Sequence, residues 1–129
     1  MASYNPAEIK ILVIDDDDVI RLTMQSVLKK KGFQVFTAEN GNVGLVIFKK
    51  EKPQIVITDM LMPNKEGLET ITEIRMLKTG AKIIAMSGGG STQNMTFLQL
   101  AEKVGADLLL SKPVKPDQLI AAVENLLGS

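Results

Sequence analysis

The sequence predicts an α/β domain in which helices cover both faces of a parallel β-sheet. Five short apolar segments rich in β-branched residues recur along the chain, at residues 11–14, 33–36, 55–58, 82–86 and 107–110. Segments with helical spacing of apolar residues separate them. Strands that alternate with helices are typical of a three-layer parallel sheet with right-handed crossovers.

The apolar segments differ in a way that indicates their place in the sheet. The first, third and fourth are almost continuously apolar, as expected for parallel strands that are covered on both faces. The second alternates between apolar and polar residues, which favours an edge position.

Four helices are predicted with clear apolar faces. The first runs from Ile20 to the lysines before Gly32, and the second begins near Asn64. The third passes through Phe97 and Val104, and the fourth begins at Pro116. A fifth helix over residues 41–50 has the weakest pattern because Gly44 lies inside it.

Composition narrows the classes of function. The 129 residues fit a single domain, residues 1–129, and the net charge of zero argues against direct nucleic-acid binding through a basic field. The chain has no cysteine and no histidine, which excludes disulfides, thiolate metal sites and histidine-based triads. No segment has the length of a membrane span and the first residues do not resemble a signal peptide, so we expect a cytoplasmic protein without a membrane partner.

Chemically active residues stand at the predicted strand ends. Asp15 and Asp16 follow the first strand and Asp59 the third, Ser87 follows the fourth, and Lys112 follows the fifth. Parallel strands bring their carboxyl ends to one edge of the sheet, where α/β proteins bind ligands. Each residue taken alone also fits a plainer role: an acidic residue caps a helix, a serine lies in a loop, and a lysine lies on the surface.

Clustered carboxylates require a cation or a proton. Two like charges 4 Å apart repel by about 4 kcal/mol at an effective dielectric constant near 20. Mg²⁺ prefers such oxygen ligands and commonly binds phosphate oxygens as well. With a lysine nearby, these residues predict a site for a phosphoryl group.

The same residues form motifs that resemble a known family. The chain is similar, over about residues 8–127, to the receiver domain of bacterial two-component response regulators, including the single-domain chemotaxis regulator. The motifs that carry the resemblance are Ile11–Asp17, Ile55–Gly67, Ile83–Gly88, Gly105–Asp107 and Ser111–Pro113. The resemblance implies a flavodoxin-like (βα)5 fold with strand order 2-1-3-4-5.

The resemblance also implies functional roles. Asp59 is expected to accept a phosphoryl group from a histidine kinase or histidine phosphotransfer protein, and to switch binding of a downstream partner. Mg²⁺ is expected on Asp16, Asp59 and the backbone carbonyl of Leu61, with Asp15 acting through water. The expected phosphate contacts are Ser87 and Lys112, and a cis peptide bond is expected before Pro113. Such a domain is a monomer or weak dimer, and it is not an enzyme apart from its own phosphotransfer and slow autodephosphorylation.

Two features depart from the family pattern, and two residues bear on the lifetime of the phosphorylated state. Leu109 stands where receivers usually carry Tyr or Phe, so the usual movement of an aromatic ring during switching is absent. Glycines at 88–90 follow Ser87, which predicts a mobile loop. Leu61 and Gly89 stand at positions that influence hydrolysis of the acyl phosphate, and neither side chain can orient water. Slow dephosphorylation is therefore expected.

Two alternative functions remain from the residues alone. The run from Asp15 to Val19 also satisfies the nucleophile motif of haloacid-dehalogenase-like phosphatases, but that scheme leaves Asp59 unexplained and lacks its later acidic pair. A pseudo-receiver that binds partners without phosphorylation is the other alternative, and Leu109 is the residue that favours it.

Overall fold

A computed structural model describes residues 4–60, 66–88 and 105–128 of the chain. Five parallel strands form one sheet in the order β2-β1-β3-β4-β5. The strands are β1 (Lys10–Ile14), β2 (Gln34–Ala38), β3 (Ile55–Asp59), β4 (Lys82–Gly88) and β5 (Leu108–Lys112). The predicted fold class and strand order are confirmed, and β2 is an edge strand.

Four α-helices connect or follow these strands among the described residues. They are α1 (Asp18–Lys30), α2 (Gly41–Glu51), α3 (Glu66–Met76) and α4 (Pro116–Gly128), and a short 3-10 helix precedes β1 at Pro6–Glu8. The carboxylate of Asp17 caps α1 by accepting hydrogen bonds from the backbone N–H groups of Val19 and Ile20. None of the described helices combines the length and the apolar character needed to cross a bilayer.

Two apolar cores lie on opposite faces of the sheet, because successive strand side chains point to opposite faces. Ile11, Val13 and Ile57 belong to the core beneath α1 and α4. Leu12 and Ile83 belong to the core beneath α2 and α3. Both faces of the central strands are therefore buried, which explains their continuous apolar sequence.

Gly44 lets α2 approach β1 closely, which explains why a glycine lies inside the helix with the weakest sequence pattern. A Cβ atom at this position would lie 2.5 Å from Cδ1 of Ile14, a side chain that is fully buried. The glycine is thus required by the contact between helix and sheet, and the helical pattern of residues 41–50 was correct despite its low intrinsic propensity.

Arg75 joins three segments at the opposite edge of the sheet from the strand ends. Its guanidinium donates hydrogen bonds to the carbonyl of Ala81 (2.9 Å), to the carbonyl of Gly105, and to the carboxylate of Asp107 (2.6 Å). The same Asp107 oxygen accepts a hydrogen bond from the backbone N–H of Ile83 (2.7 Å). The end of α3 and the starts of β4 and β5 are held together by this group.

Several predictions lie outside the described residues. They are the start of the third helix near Asn64, the helix through Phe97 and Val104, the Leu61 carbonyl, and the loop that contains Gly89.

Candidate functional site

Strand alternation places three of the predicted site residues on one face. The core beneath α1 and α4 contains alternate residues of three strands: positions 11 and 13 of β1, 55 and 57 of β3, and 108 and 110 of β5. Two residues further along each strand stand Asp15, Asp59 and Lys112, at the carboxyl ends of strands β1, β3 and β5. The period of two therefore brings these side chains together at the edge of the sheet.

Lys112 forms an ion pair with two buried carboxylates. Its Nζ atom lies 2.8 Å from Oδ2 of Asp59, to which it donates a hydrogen bond, and 3.0 Å from Oδ2 of Asp15. The second contact is an ion pair whose angles do not meet those of a hydrogen bond. Asp15 is fully buried and Asp59 is 6% exposed, so neither carboxylate is well solvated. The positive charge of the lysine offsets the negative charges of these carboxylates, which water would otherwise solvate.

The titration of these groups reflects the competition between burial and charge. Burial raises the pKa of Asp15, and the charge of Asp59 adds to this, while the backbone N–H of Asp17 and the ammonium of Lys112 act in the opposite direction. Burial alone would lower the pKa of Lys112. The hydrogen bond to Asp59 and the negative charges of Asp59 and Asp15 outweigh that effect, so the pKa of Lys112 is raised and the ammonium stays charged.

Asp16 completes an acidic group at the same edge. One carboxylate oxygen from each of Asp15, Asp16 and Asp59 lies within 4.8 Å of the other two, and Asp16 is exposed to solvent. Three carboxylates and the Lys112 ammonium carry a formal net charge of −2. One divalent cation would balance this charge, and all of the ligand atoms are the hard oxygens that Mg²⁺ prefers. The residues present therefore fit a magnesium site.

Arg21 supports this acidic loop, a role that the sequence did not reveal. Its guanidinium donates a hydrogen bond to the backbone carbonyl of Asp15 (2.8 Å) and pairs with the carboxylate of Asp18. The spacing of Asp18 and Arg21 on α1 is a recognisable i, i+3 pair. The contact with Asp15 crosses from helix to strand end and has no comparable signal in the sequence.

The remaining predicted residues that the structure describes lie on β4, on β5 or directly after β5. Ser87 lies inside β4, one residue beyond Met86, which is the register partner of Asp59. The Ser87 hydroxyl is buried and has no hydrogen-bond partner among the described residues. The peptide bond between Lys112 and Pro113 is cis. Leu109 is half-buried and packs against the core beneath α2 and α3.

A family model described as the response regulator receiver domain matches residues 11–124. This chain belongs to that family. The match covers the strands and helices that carry the site, and it confirms the function predicted from the sequence, that of a phosphoacceptor domain in two-component signalling. A receiver domain is a signalling protein rather than a turnover enzyme, and neither the phosphatase nor the pseudo-receiver alternative is favoured.

Known relatives of the receiver domain support the assignment. The chain is 32% identical over 118 residues to the sporulation initiation phosphotransferase F of Bacillus subtilis, covering 92% of this chain and 93% of that protein. It is 35% identical to the probable transcriptional regulator ycf27 of Porphyra purpurea, again over 92% of this chain. In that case it spans about half of the relative's length, 47%.

A solved structure shows the same fold in a modified state. The crystal structure of a response regulator protein from Burkholderia pseudomallei superimposes with a TM-score of 0.79 at 30% identity, covering 89% of this chain and 66% of that chain. That protein carries a phosphorylated aspartic acid, a calcium ion and citrate.

Proposed function

We propose that Asp59 is the phosphoacceptor of this receiver domain and that Mg²⁺ is its cofactor. The observation that carries the proposal is the contact of Lys112 Nζ with Asp59 Oδ2 at 2.8 Å, inside a group of three convergent carboxylates. The phosphorylated aspartic acid and cation of the Burkholderia relative supply a precedent within the fold.

The transfer is a displacement at phosphorus. A carboxylate oxygen of Asp59 attacks the phosphorus of a phosphohistidine, the new P–O bond forms, and the P–N bond breaks. The electron pair of that bond leaves with the imidazole, which takes up a proton. The product is an acyl phosphate on Asp59, and catalysis consists largely of positioning and charge neutralisation.

Each neighbouring residue has a defined part in this step. Lys112 already contacts Asp59 and neutralises charge on the oxygens that surround the phosphorus. Asp16, Asp59 and the Leu61 carbonyl would hold the metal directly, and Asp15 would hold it through water. Bound Mg²⁺ supplies further positive charge to the phosphoryl oxygens. Ser87, whose hydroxyl lacks a described partner, donates to a phosphoryl oxygen once the group is in place.

Intact-mass measurement tests the acceptor. Incubation with acetyl phosphate and Mg²⁺ is expected to add one phosphoryl group to the wild-type chain and none to Asp59→Asn. Asp117→Asn is the matched control, because Asp117 is an exposed aspartate in the first turn of α4 and lies outside the acidic group. An unmodified wild-type chain would favour the pseudo-receiver, and steady hydrolysis of an added phosphomonoester would favour the phosphatase.

A small pocket beside the site suggests where the phosphohistidine donor docks. It has a volume of about 150 Å³ and lies between α1 and the segment after β5, with Val19, Ile20, Met24, Pro113 and Val114 among its lining residues. Val19 is 74% exposed, so it offers apolar surface to a partner. We propose that a histidine kinase or histidine phosphotransfer protein contacts this surface in the cytoplasm.

A substitution in this pocket separates docking from chemistry. Val19→Asp is expected to slow transfer from a phosphotransfer protein by at least about tenfold, since it buries a charge in the interface. The rate with acetyl phosphate should be unchanged, because that donor needs no docking surface. An equal effect on both donors would place the defect in the chemistry and contradict the proposed role.

The lifetime of the acyl phosphate is a further part of the proposal. Leu61 and Gly89 cannot orient an attacking water, so we expect slow autodephosphorylation. Leu61→Asn supplies an amide that can bind water, so it should shorten the lifetime of the phosphorylated state. The lifetime is measured as the decay of the phosphorylated species by intact mass. A lifetime equal to that of the wild type would contradict this role of Leu61.

A further inference from the structure

Exposed lysines collect at one edge of the sheet, opposite the phosphoacceptor site. They lie at the ends of α1 (residues 29–31) and α2 (Lys49 and Lys50), after α2 and α3 (Lys52 and Lys78), and at the start of β4 (Lys82). Helices that return between parallel strands end where the strands begin, so all eight share this edge. We call this surface the basic face.

The positive charge of the basic face is only partly offset locally. Glu8 is exposed at the end of the 3-10 helix before β1, and Glu73 lines a groove together with Lys49. Glu51 and Asp107, two carboxylates at this edge, are engaged by Lys10 and Arg75. None of the eight lysines forms an ion pair with another residue in the described part of the chain. The opposite edge carries Asp16 and its acidic neighbours. A chain with zero net charge therefore carries an excess of positive charge at this edge.

Helix dipoles explain only part of this arrangement. Lysines in the last turn of a helix interact favourably with its negative end, which accounts for residues 29 and 30 and for Lys49 and Lys50. Lys31 and Lys52 are the C-cap residues of α1 and α2, so their charges are also close to a negative helix end. Lys78 lies two residues beyond α3 and Lys82 begins β4, and a helix-stabilising role does not place charge at these two positions.

From the composition of this face we infer that it docks on an anionic lipid surface. Protein interfaces and base-reading surfaces are enriched in arginine and aromatic residues. Both arginines of the chain, Arg21 and Arg75, are already engaged, and none of the described aromatic side chains is exposed. Clustered lysines without such partners fit a fluid layer of anionic headgroups.

Two exposed apolar residues strengthen the inference. Met76 and Leu77 stand at the end of α3, next to Lys78, and are 73% and 43% exposed. Apolar side chains beside lysines can enter the boundary between headgroups and acyl chains. The expectation of no membrane partner rested on the absence of a membrane-spanning segment and of a signal peptide, and neither observation concerns a charged surface.

Docking in this way fixes the orientation of the domain. The lipid charge attracts the basic face and repels the acidic edge, so Asp59 and the pocket beside Val19 face away from the bilayer. The site remains open to its donor while the domain is bound. A phosphoryl group on Asp59 would not contact the basic face, because Asp59 ends β3 and the basic face lies where the strands begin.

Vesicle binding tests the inference. Co-sedimentation with vesicles of phosphatidylglycerol and phosphatidylcholine in equal parts should recover the domain at low salt and release it at high salt, and pure phosphatidylcholine should recover none. Each lysine near such a surface contributes about fivefold, so Lys49→Gln with Lys50→Gln and Lys82→Gln should weaken binding about a hundredfold. Lys115→Gln, outside the basic face, should change it less than about twofold.

Orientation is tested with tryptophan, which the natural chain lacks. Met76 and Val19 have nearly equal exposures of 73% and 74% but lie at opposite edges of the sheet. Anionic vesicles should shift the emission of Met76→Trp to shorter wavelength and leave that of Val19→Trp unchanged. Equal shifts in both variants would overturn the proposed orientation.

Two results would overturn the docking itself. One is the absence of binding to the anionic vesicles at low salt by a wild-type chain that still accepts phosphate from acetyl phosphate. The other is binding to a duplex DNA oligonucleotide that is tighter than vesicle binding and equally sensitive to the triple lysine variant, which would assign the basic face to nucleic acid.

Discussion

Replacing Gly44 by alanine is expected to destabilise the domain, although alanine is the better helix former. The added Cβ would lie 2.5 Å from Cδ1 and 2.9 Å from Cγ1 of Ile14, and Ile14 is fully buried between helix and sheet. Overpacking of this kind costs about 1–3 kcal/mol, whereas alanine gains about 1 kcal/mol in helix propensity. We expect a net loss of about 1 kcal/mol in the free energy of unfolding.

A double-mutant cycle isolates the contact. Ile14→Val removes Cδ1, the atom nearest to the new Cβ, and costs about 0.5–1.5 kcal/mol alone. Because the closest contact is then removed and only the 2.9 Å contact with Cγ1 remains, Gly44→Ala should cost less in the Ile14→Val background than in the wild type. Urea unfolding of all four proteins gives the coupling energy, provided that the denaturant slopes agree.

The reference for helix propensity is Gly128, at the end of α4. A Cβ at Gly128 would meet no atom within 4 Å, so Gly128→Ala should leave stability unchanged or slightly raise it. Additive effects of Gly44→Ala and Ile14→Val, or a gain in stability from Gly44→Ala alone, would refute the close approach of α2 to β1.

Three further predictions concern the supports of the fold and the site. Arg75→Ala should lower the free energy of unfolding by about 2 kcal/mol, because two backbone carbonyls and Asp107 lose a charged donor. Asp17→Ala should cost about 1 kcal/mol through loss of the α1 cap, measured by thermal unfolding. Lys112→Ala should lower the melting temperature and increase the stabilisation by Mg²⁺, because the remaining carboxylates lose their only described ammonium partner.

Conservative substitutions serve as controls for these three. Asp107→Asn keeps an acceptor for Ile83 and should cost less than Arg75→Ala. Asp17→Asn retains the capping oxygen and should be nearly neutral. If Mg²⁺ stabilised Lys112→Ala no more than the wild type, Lys112 would not be the counter-charge of the acidic group.

Much of the fold could be predicted because the periodicities were strong. Continuous apolar strands fixed the centre of the sheet, and the alternating segment at 33–36 indicated the edge position of β2. Boundaries were less accurate. Ser87 and Lys112 were placed after their strands, whereas both lie within them, because backbone pairing continues past the last apolar residue.

The site was predictable only where a strand end marks it. Asp59 and Lys112 could be paired because parallel strands end together, although 53 positions separate them in sequence. The hydrogen bond from Arg21 to the Asp15 carbonyl and the bonds made by Arg75 leave no local pattern, since they depend on how helices cross the sheet. The close contact of Gly44 with Ile14 could not be predicted from the sequence for the same reason. A glycine within a helical pattern by itself indicates only a low helix propensity.

Lys112 gives the acidic group a counter-ion that is part of the chain. The ammonium offsets part of the charge of the buried carboxylates within the chain itself, so this compensation does not depend on a bound cation. Lys112 is also the last residue of β5, one of the two edge strands of the described sheet. Since β4 is the only described strand that pairs with β5, a displacement of the Lys112 side chain would act on a strand that is held from one side.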